Sequence, residues 1–160
     1  MFTVNGVSVR IIFIDRSSDL REVYQHLFEE FGCIVESVPT GEEALALAET
    51  FQPHAIYTSL VLDGMDGCEL ARQVRELDTT PRAMLVAMTG YSGRSIEQDC
   101  LKAGFDRHLP KPAGLYKLLL PLASIPGITA DRKHSALRPE SRISDDCAYA
   151  AFRRAILGGI

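Results

Sequence analysis

No run of apolar residues in this chain approaches the roughly 18 needed to span a bilayer, so no transmembrane helix is expected. The opening residues, MFTVNGVSVR, also lack the basic stretch followed by an apolar one that marks a leader, and the expectation is a cytoplasmic protein. Positive charge is not in excess. With 17 Lys and Arg against 21 Asp and Glu, the net charge of -4 argues against direct nucleic-acid binding, which needs a basic face for the phosphates. Cysteine pairing is missing too. Cys33, Cys68, Cys100 and Cys147 are scattered, with no C-x-x-C and no histidine at ligand spacing. Neither a zinc site nor a disulfide framework is indicated, and ordinary reduced thiols are expected.

What is present is an ordinary globular composition, 46% hydrophobic and 24% charged, over 160 residues. That length suits one domain with an appendage. Short apolar runs alternate with longer amphipathic ones. The run VSVRIIFID (7–15) reads as a β-branched strand, and in SSDLREVYQHLFEEFG the residues Leu20, Val23, Tyr24, Leu27, Phe28 and Phe31 recur at helical spacing. Ser17 or Ser18 can cap that helix and Gly32 can end it. The pattern repeats as CIVESV and TGEEALALAETF, HAIYTSL and CELARQVREL, AMLVAMT and RSIEQDCLKAG, DRHL and GLYKLLLPLA, giving five strand–helix units.

Strands joined by single helices cannot be hairpin neighbours, so the sheet is expected to be parallel, with right-handed crossovers and helices on both faces. The nearly continuous apolar strands agree, because a strand covered on both sides has no solvent face. An open α/β sheet of this kind places its site at the carboxyl ends of its strands. Asp15, Arg16, Ser59 and Thr89 stand at those ends, and Lys111 follows the fifth strand.

The stretches IIFIDRSSDLREVYQHL, PTGEEALALAETFQPHAIYTSLVLDGMDGCELARQVR, LVAMTGY and AGFDRHLPKP, in that order and spacing, resemble the receiver domain of two-component response regulators. The likeness runs from about Val9 to Leu122. It implies an α/β, doubly wound, five-stranded parallel sheet of order 2-1-3-4-5, the flavodoxin-like receiver fold. It also implies transfer of a phosphoryl group from a histidine kinase to an aspartate at the end of strand three, with Mg²⁺. On this resemblance the acidic pair after strand one falls on Asp15 and Arg16, the hydroxyl residue after strand four on Thr89, and the lysine after strand five on Lys111. The switch position on strand five falls on His108. Counting back from Met65, Asp66 and Gly67 places the phosphoacceptor at Ser59, with Asp63 where the family usually has proline. The LPKP stretch resembles the family's lysine–proline turn, whose peptide bond is commonly cis.

These departures have chemical consequences of their own. A carboxylate with a pKa of about 4 is ionised at neutral pH and can attack phosphorus directly, whereas a serine hydroxyl needs a base, and Ser59 has no evident one. Mg²⁺ is usually held through one or two carboxylates, and of the three expected here Ser59 replaces one and Arg16 another. Arg16 can point into the pocket, pairing with Asp15 and excluding the metal, or out to solvent. Lys111 with Asp15 reads as a structural pair at the strand ends in preference to a residual anion site. Thr89 suits either role, and His108 reads as a packed strand residue with a polar tip before a switch. Between Gly64 and Gly67, Asp66 is expected to cap the following helix, and Asp63 lies too far beyond the strand to replace the acceptor.

The receiver-like domain is assigned to residues 1–123 and a linker and tail to 124–160. In the tail, CAYAAFRRAIL suggests a short helix over 146–157, and from residue 131 onward six Lys or Arg face four Asp or Glu. One short helix cannot form a DNA-binding core. The expectation is an atypical receiver that is not an enzyme, carries no metal or cofactor and acts by contacts with signalling proteins, either a histidine kinase or a downstream regulator. A homodimer through the helix 4, strand 5, helix 5 face is part of that reading. The alternative is a Mg²⁺-dependent phosphoacceptor using an unusual residue. A phosphatase with Asp15 as nucleophile is weaker, since it needs a second acid where Ser17 stands.

Overall fold

The computed structural model describes residues 1–78, 82–91 and 93–130. Within them each apolar run becomes a strand and each amphipathic run a helix, and the helix ends obey the local chemistry. Helix α1 (Ser18–Glu30) is capped by the Ser17 hydroxyl, which accepts from Leu20 N, and α2 (Gly41–Phe51) by Thr40, which accepts from Glu43 N. Beyond α1, Gly32 takes the left-handed conformation at φ +77° that lets the chain turn back. Helix α3 spans Gly67–Glu76 and α4 spans Arg94–Ala103.

Five strands, β3 (Arg10–Ile14), β4 (Ile34–Val38), β5 (Ala55–Ser59), β6 (Met84–Thr89) and β7 (Arg107–Pro110), form one parallel sheet in the order β4-β3-β5-β6-β7. That is the expected 2-1-3-4-5 arrangement. Two cores flank it. On one face Phe13, Tyr57, Val86 and Met88 pack against Tyr24 and Phe28 of α1 and against Leu118, Leu119 and Leu122. On the other, Ile12, Ile14, Ile56 and Leu85 pack against Ala44, Ala48, Leu70, Val74 and Cys100 of α2, α3 and α4. The buried Tyr57 hydroxyl donates to Leu118 O at 2.7 Å, which satisfies the one polar atom that ring brings inside.

The structure departs from the sequence reading at both ends of the domain. The run 7–15 is not one strand. Asn5 and Gly6, at φ 51° and 83°, form a two-residue hairpin turn that pairs β1 (Phe2–Val4) with β2 (Val7–Ser8), and only Arg10–Ile14 enters the parallel sheet. The last helix is also shorter than its apolar pattern suggests. Helix α5 covers Leu115–Leu119, and a 3₁₀ turn takes over from Leu120 to Ser124. Pro121 has no N–H to continue an α-helical ladder. Finally, part of the segment assigned to the linker is a strand: β8 (Ile128–Ala130) pairs antiparallel with β1, completing a second sheet of order β2-β1-β8. Ile125 is buried just before it, so the chain stays on the domain through at least Ala130. The helix expected over 146–157 lies outside the described residues, as does Cys147.

Candidate functional site at the strand ends

Because β3, β5 and β6 are parallel and in register, Asp15, Ser59 and Thr89 emerge side by side at the same edge of the sheet, with Asp15 3%, Ser59 8% and Thr89 4% exposed. Lys111 is brought to them by backbone as well as side chain. Its N–H donates to Thr89 O at 2.7 Å, and the Lys111–Pro112 peptide is cis, as the resemblance implies. The structure therefore gathers four of the five pocket residues expected from sequence.

The ammonium of Lys111 sits between two oxygens. It is hydrogen-bonded and ion-paired to Asp15 Oδ2 and donates to Ser59 Oγ at 3.3 Å. The other Asp15 oxygen, Oδ1, accepts from Ser17 N at 2.8 Å. Both carboxylate oxygens are thus engaged, one by a cation and one by the backbone that leads into α1. The formal charges of the pair cancel. Thr89 Oγ1 accepts from Tyr91 N at 3.1 Å, the hydrogen bond of a satisfied turn.

Arg16, the fifth residue, points to solvent. Asp15 is paired with Lys111 and not with Arg16, and the arginine contact at this corner comes from Arg21, whose Nη1 donates to Asp15 O at 2.7 Å. Asp63 is exposed in the β5–α3 loop, and Asp66 caps α3 by accepting from Glu69 N at 2.9 Å. His108 lies on β7 opposite Ala87, half-buried, with its Nε2 enclosed and without a hydrogen-bond partner among the described residues.

Two supports of the pocket were not anticipated from sequence. Gly67 opens α3 directly against the end of β5, where a Cβ would stand 2.6 Å from Ser59 O and 2.8 Å from Leu60 Cα. The Thr58 hydroxyl also donates to Ser59 O, at 2.9 Å. The signal for the first was the glycine that follows the capping aspartate, since close backbone approach requires the absence of a side chain.

The donor set does not fit Mg²⁺, the ion that the resemblance implies. A hard cation with near-octahedral demands needs carboxylate oxygens free to face it. Asp15 is the one carboxylate at the strand ends, its two oxygens are engaged, and Ser59 offers a neutral hydroxyl already accepting from a cation. Among the described residues no three His, Cys, Asp or Glu side chains cluster as a metal site.

Comparison with known proteins agrees with this architecture. The family model described as the response regulator receiver domain matches residues 11–122. An uncharacterized 14.6 kDa protein of Leptolyngbya boryana is 32% identical over 109 residues, covering 68% of this chain and 83% of that protein. The response regulator MprA of Mycobacterium ulcerans is 34% identical over 114 residues, 71% of this chain, and this chain spans only 48% of its length. Among solved structures, chemotaxis protein CheY4 of Vibrio cholerae superposes with a TM-score of 0.70 over 74% of this chain and 99% of its own, at 24% identity, a likeness of fold. A response regulator of Burkholderia pseudomallei, solved with a phosphorylated aspartic acid, a calcium ion and citrate, gives a TM-score of 0.66 at 26% identity over 72% of this chain and 66% of its own. No helix among the described residues is long and apolar enough to cross a membrane. With the matched region taking in the five parallel strands but for the first residue of β3, and every residue of the pocket, the chain belongs to the response regulator receiver domain family of two-component signalling.

Proposed function

We propose that this chain is an atypical receiver which works by protein contacts, without phosphorylation of an aspartate. The carrying observation is the Lys111 ammonium bridging the Asp15 carboxylate to the Ser59 hydroxyl, at the position where the receiver resemblance expects the phosphoacceptor aspartate. For Ser59 to act as nucleophile a base must take its proton as phosphorus is attacked. The nearest carboxylate, Asp15, has one oxygen against Lys111 and the other against Ser17 N, and Lys111 itself donates to the serine oxygen. Among the described residues, no carboxylate is therefore free to take the proton of Ser59 Oγ.

In this reading the pocket is a structural clasp that fixes the strand ends, no metal or cofactor is required, and the chain is not an enzyme. Receiver domains engage histidine kinases or downstream regulators, and such proteins are the proposed partners here. A second copy on the face built from α4, β7 and α5 is the proposed self-association, with no direct nucleic-acid contact and a cytoplasmic setting.

Incubation of the full chain with Mg²⁺ and acetyl phosphate, followed by intact mass and peptide mapping, tests this. The expected result is no added phosphoryl mass, and no change in Tyr fluorescence with beryllofluoride. Stable phosphorylation at Asp15, Ser59 or Asp63 would establish the alternative, a Mg²⁺-dependent phosphoacceptor with an unusual residue.

A further inference from the structure

We propose that residues 146–157 of this chain dock as a basic amphipathic segment on the outer face of its own helix α1, with their arginines over the groove between α1 and β4. That segment lies outside the described residues, and its sequence puts Tyr149, Phe152 and Ile156 at helical spacing beside Arg153 and Arg154. The domain it leaves points it to α1.

The chain departs from the domain at the C-terminal end of that helix. Ala130, the last residue of β8, is paired with Phe2, and Phe2 N donates at 3.0 Å to the carbonyl of Phe31, the residue that ends α1. Fifteen residues, 131–145, then precede the segment and span at most about 50 Å, whereas the 13 residues of α1 make a helix of about 20 Å. The whole outer face of α1 is within reach of the tail of the same molecule, and the short connection gives the segment a high effective concentration there.

That face is acidic and incompletely neutralised. Asp19, Glu22, Glu29 and Glu30 are exposed on α1, and Glu36 is exposed on β4, the neighbouring edge strand of the parallel sheet. His26 lies 3.6 Å from Glu30, while the Arg21 guanidinium is drawn inward to Asp15 O. Among the described residues Asp19, Glu22 and Glu36 have no cationic partner. Glu22 and Glu29 both line a groove of about 340 Å³ that Arg21 and Gln25 of α1 share with Ser37 of β4. The Ser37 hydroxyl donates to Gln25 Oε1 at 2.8 Å and the Gln25 amide donates to Glu29 Oε1 at 2.9 Å, so the strand holds the Glu29 carboxylate at the groove. On the same helix Val23 is 54% exposed, a large apolar side chain left in water.

The charge of the chain divides to match. Of its 17 Lys and Arg six fall from residue 131 onward, and of its 21 Asp and Glu four, so the preceding part carries -6 and the tail +2. Arginine suits the groove because its planar fork bonds a carboxylate through two N–H groups, and the aromatic residues beside it give Val23 an apolar neighbour. A docked tail closes this face of α1, and another protein reaches it only by displacing the segment.

Hydrogen exchange of the full chain, read by mass spectrometry, tests this. Amides of 146–157 are expected to exchange at least about tenfold more slowly than those of an unstructured chain. Glu22→Lys with Glu29→Lys should speed that exchange at least about threefold, and Arg153→Glu with Arg154→Glu should do the same. All four changes together should return it to within about twofold of the parent, because opposite charges face each other again. Glu76→Lys, an exposed reversal on α3, should leave 146–157 unchanged. Should the α1 reversals unfold the domain, the tail reversals decide alone. Unprotected amides, exchange indifferent to the reversals, no recovery in the combined variant, or protection lost on dilution of about a hundredfold, the mark of docking on a second copy, would each overturn the proposal. Tail exchange and phosphoryl mass at the pocket are separate readouts, so either reading can fail without the other.

Discussion

Lys111 and Asp15, far apart in the chain, meet as an ion pair with side chains 18% and 4% exposed. Removing one partner of a buried pair leaves the other charge without compensation, and that costs about 3 kcal/mol or more. Lys111→Met is therefore expected to lower the urea midpoint strongly. Adding Asp15→Asn should restore at least half of the loss, because the stranded charge is gone. A double variant no more stable than Lys111→Met alone would refute this account of the clasp.

Placing a carboxylate at the end of β5 should convert the clasp toward a metal site. Ser59→Asp puts a second carboxylate beside Asp15 and draws on the same Lys111 ammonium, and two carboxylates meet the usual requirement of Mg²⁺. Arg16 points to solvent, so it does not obstruct this corner. The expectation is measurable Mg²⁺ binding by calorimetry in Ser59→Asp alone, with Arg16→Asp adding no more than about tenfold through its charge. Binding that appears only in the double variant would show that Arg16 blocks the metal despite its exposure.

The parallel sheet was legible in the sequence because β-branched strands buried on both faces leave continuous apolar runs, and because single-helix crossovers exclude hairpins; its order was available only through the resemblance to receiver domains. The pocket was legible because strand register places Asp15, Ser59 and Thr89 at one edge. The direction taken by Arg16 was not, since a long flexible cation beside a buried acid has two reasonable places to go until the competing Lys111 is positioned by the turn after β7. The second sheet escaped for another reason. A strand of three residues such as Ile128–Ala130 carries no measurable alternation, and its partner Phe2–Val4 is distant in sequence. The Asn5-Gly6 turn was the available signal, a strong hairpin marker flanked by valines that merges into the strand reading of 7–15.

Gly67 tests how tightly α3 abuts the site. Any Cβ there collides with backbone, 2.6 Å from Ser59 O and 2.8 Å from Leu60 Cα, and backbone cannot swing aside as a side chain can. Gly67→Ala is expected to cost about 1–3 kcal/mol, read from chemical denaturation, despite alanine's better helix propensity. A stabilised variant would mean that α3 is free to move away from β5.

His54 supplies a pH dependence with a definite sign. Its Nδ1 accepts from Arg10 N at 2.9 Å, and burial, with Arg10 beside it, holds its pKa below the ordinary 6.5. As pH falls below about 6.5 the unfolded chain takes up a proton that the folded chain resists, so this contribution is present above that value and is lost on acidification. His54→Asn keeps an acceptor for Arg10 N and has nothing to titrate. Thermal midpoints measured from pH 7.5 down to 5 should fall less for the variant than for the parent, and parallel curves would remove His54 as the cause.

Phe2 measures what the second sheet contributes to the domain. Its ring is 1% exposed, lies 6.0 Å from the Phe31 ring between centroids, and joins the core formed by α1 and the residues after β7. Its backbone N–H also donates to Phe31 O at 3.0 Å, so β1 is anchored to the end of α1 as well as to β8. If this sheet is an integral part of the fold, Phe2→Ala should cost about 3–5 kcal/mol, as large truncations in a packed core do. The transition should stay single and cooperative. A loss under about 1 kcal/mol would instead mean that β1 and β8 are an appendage resting on a domain that is complete without them.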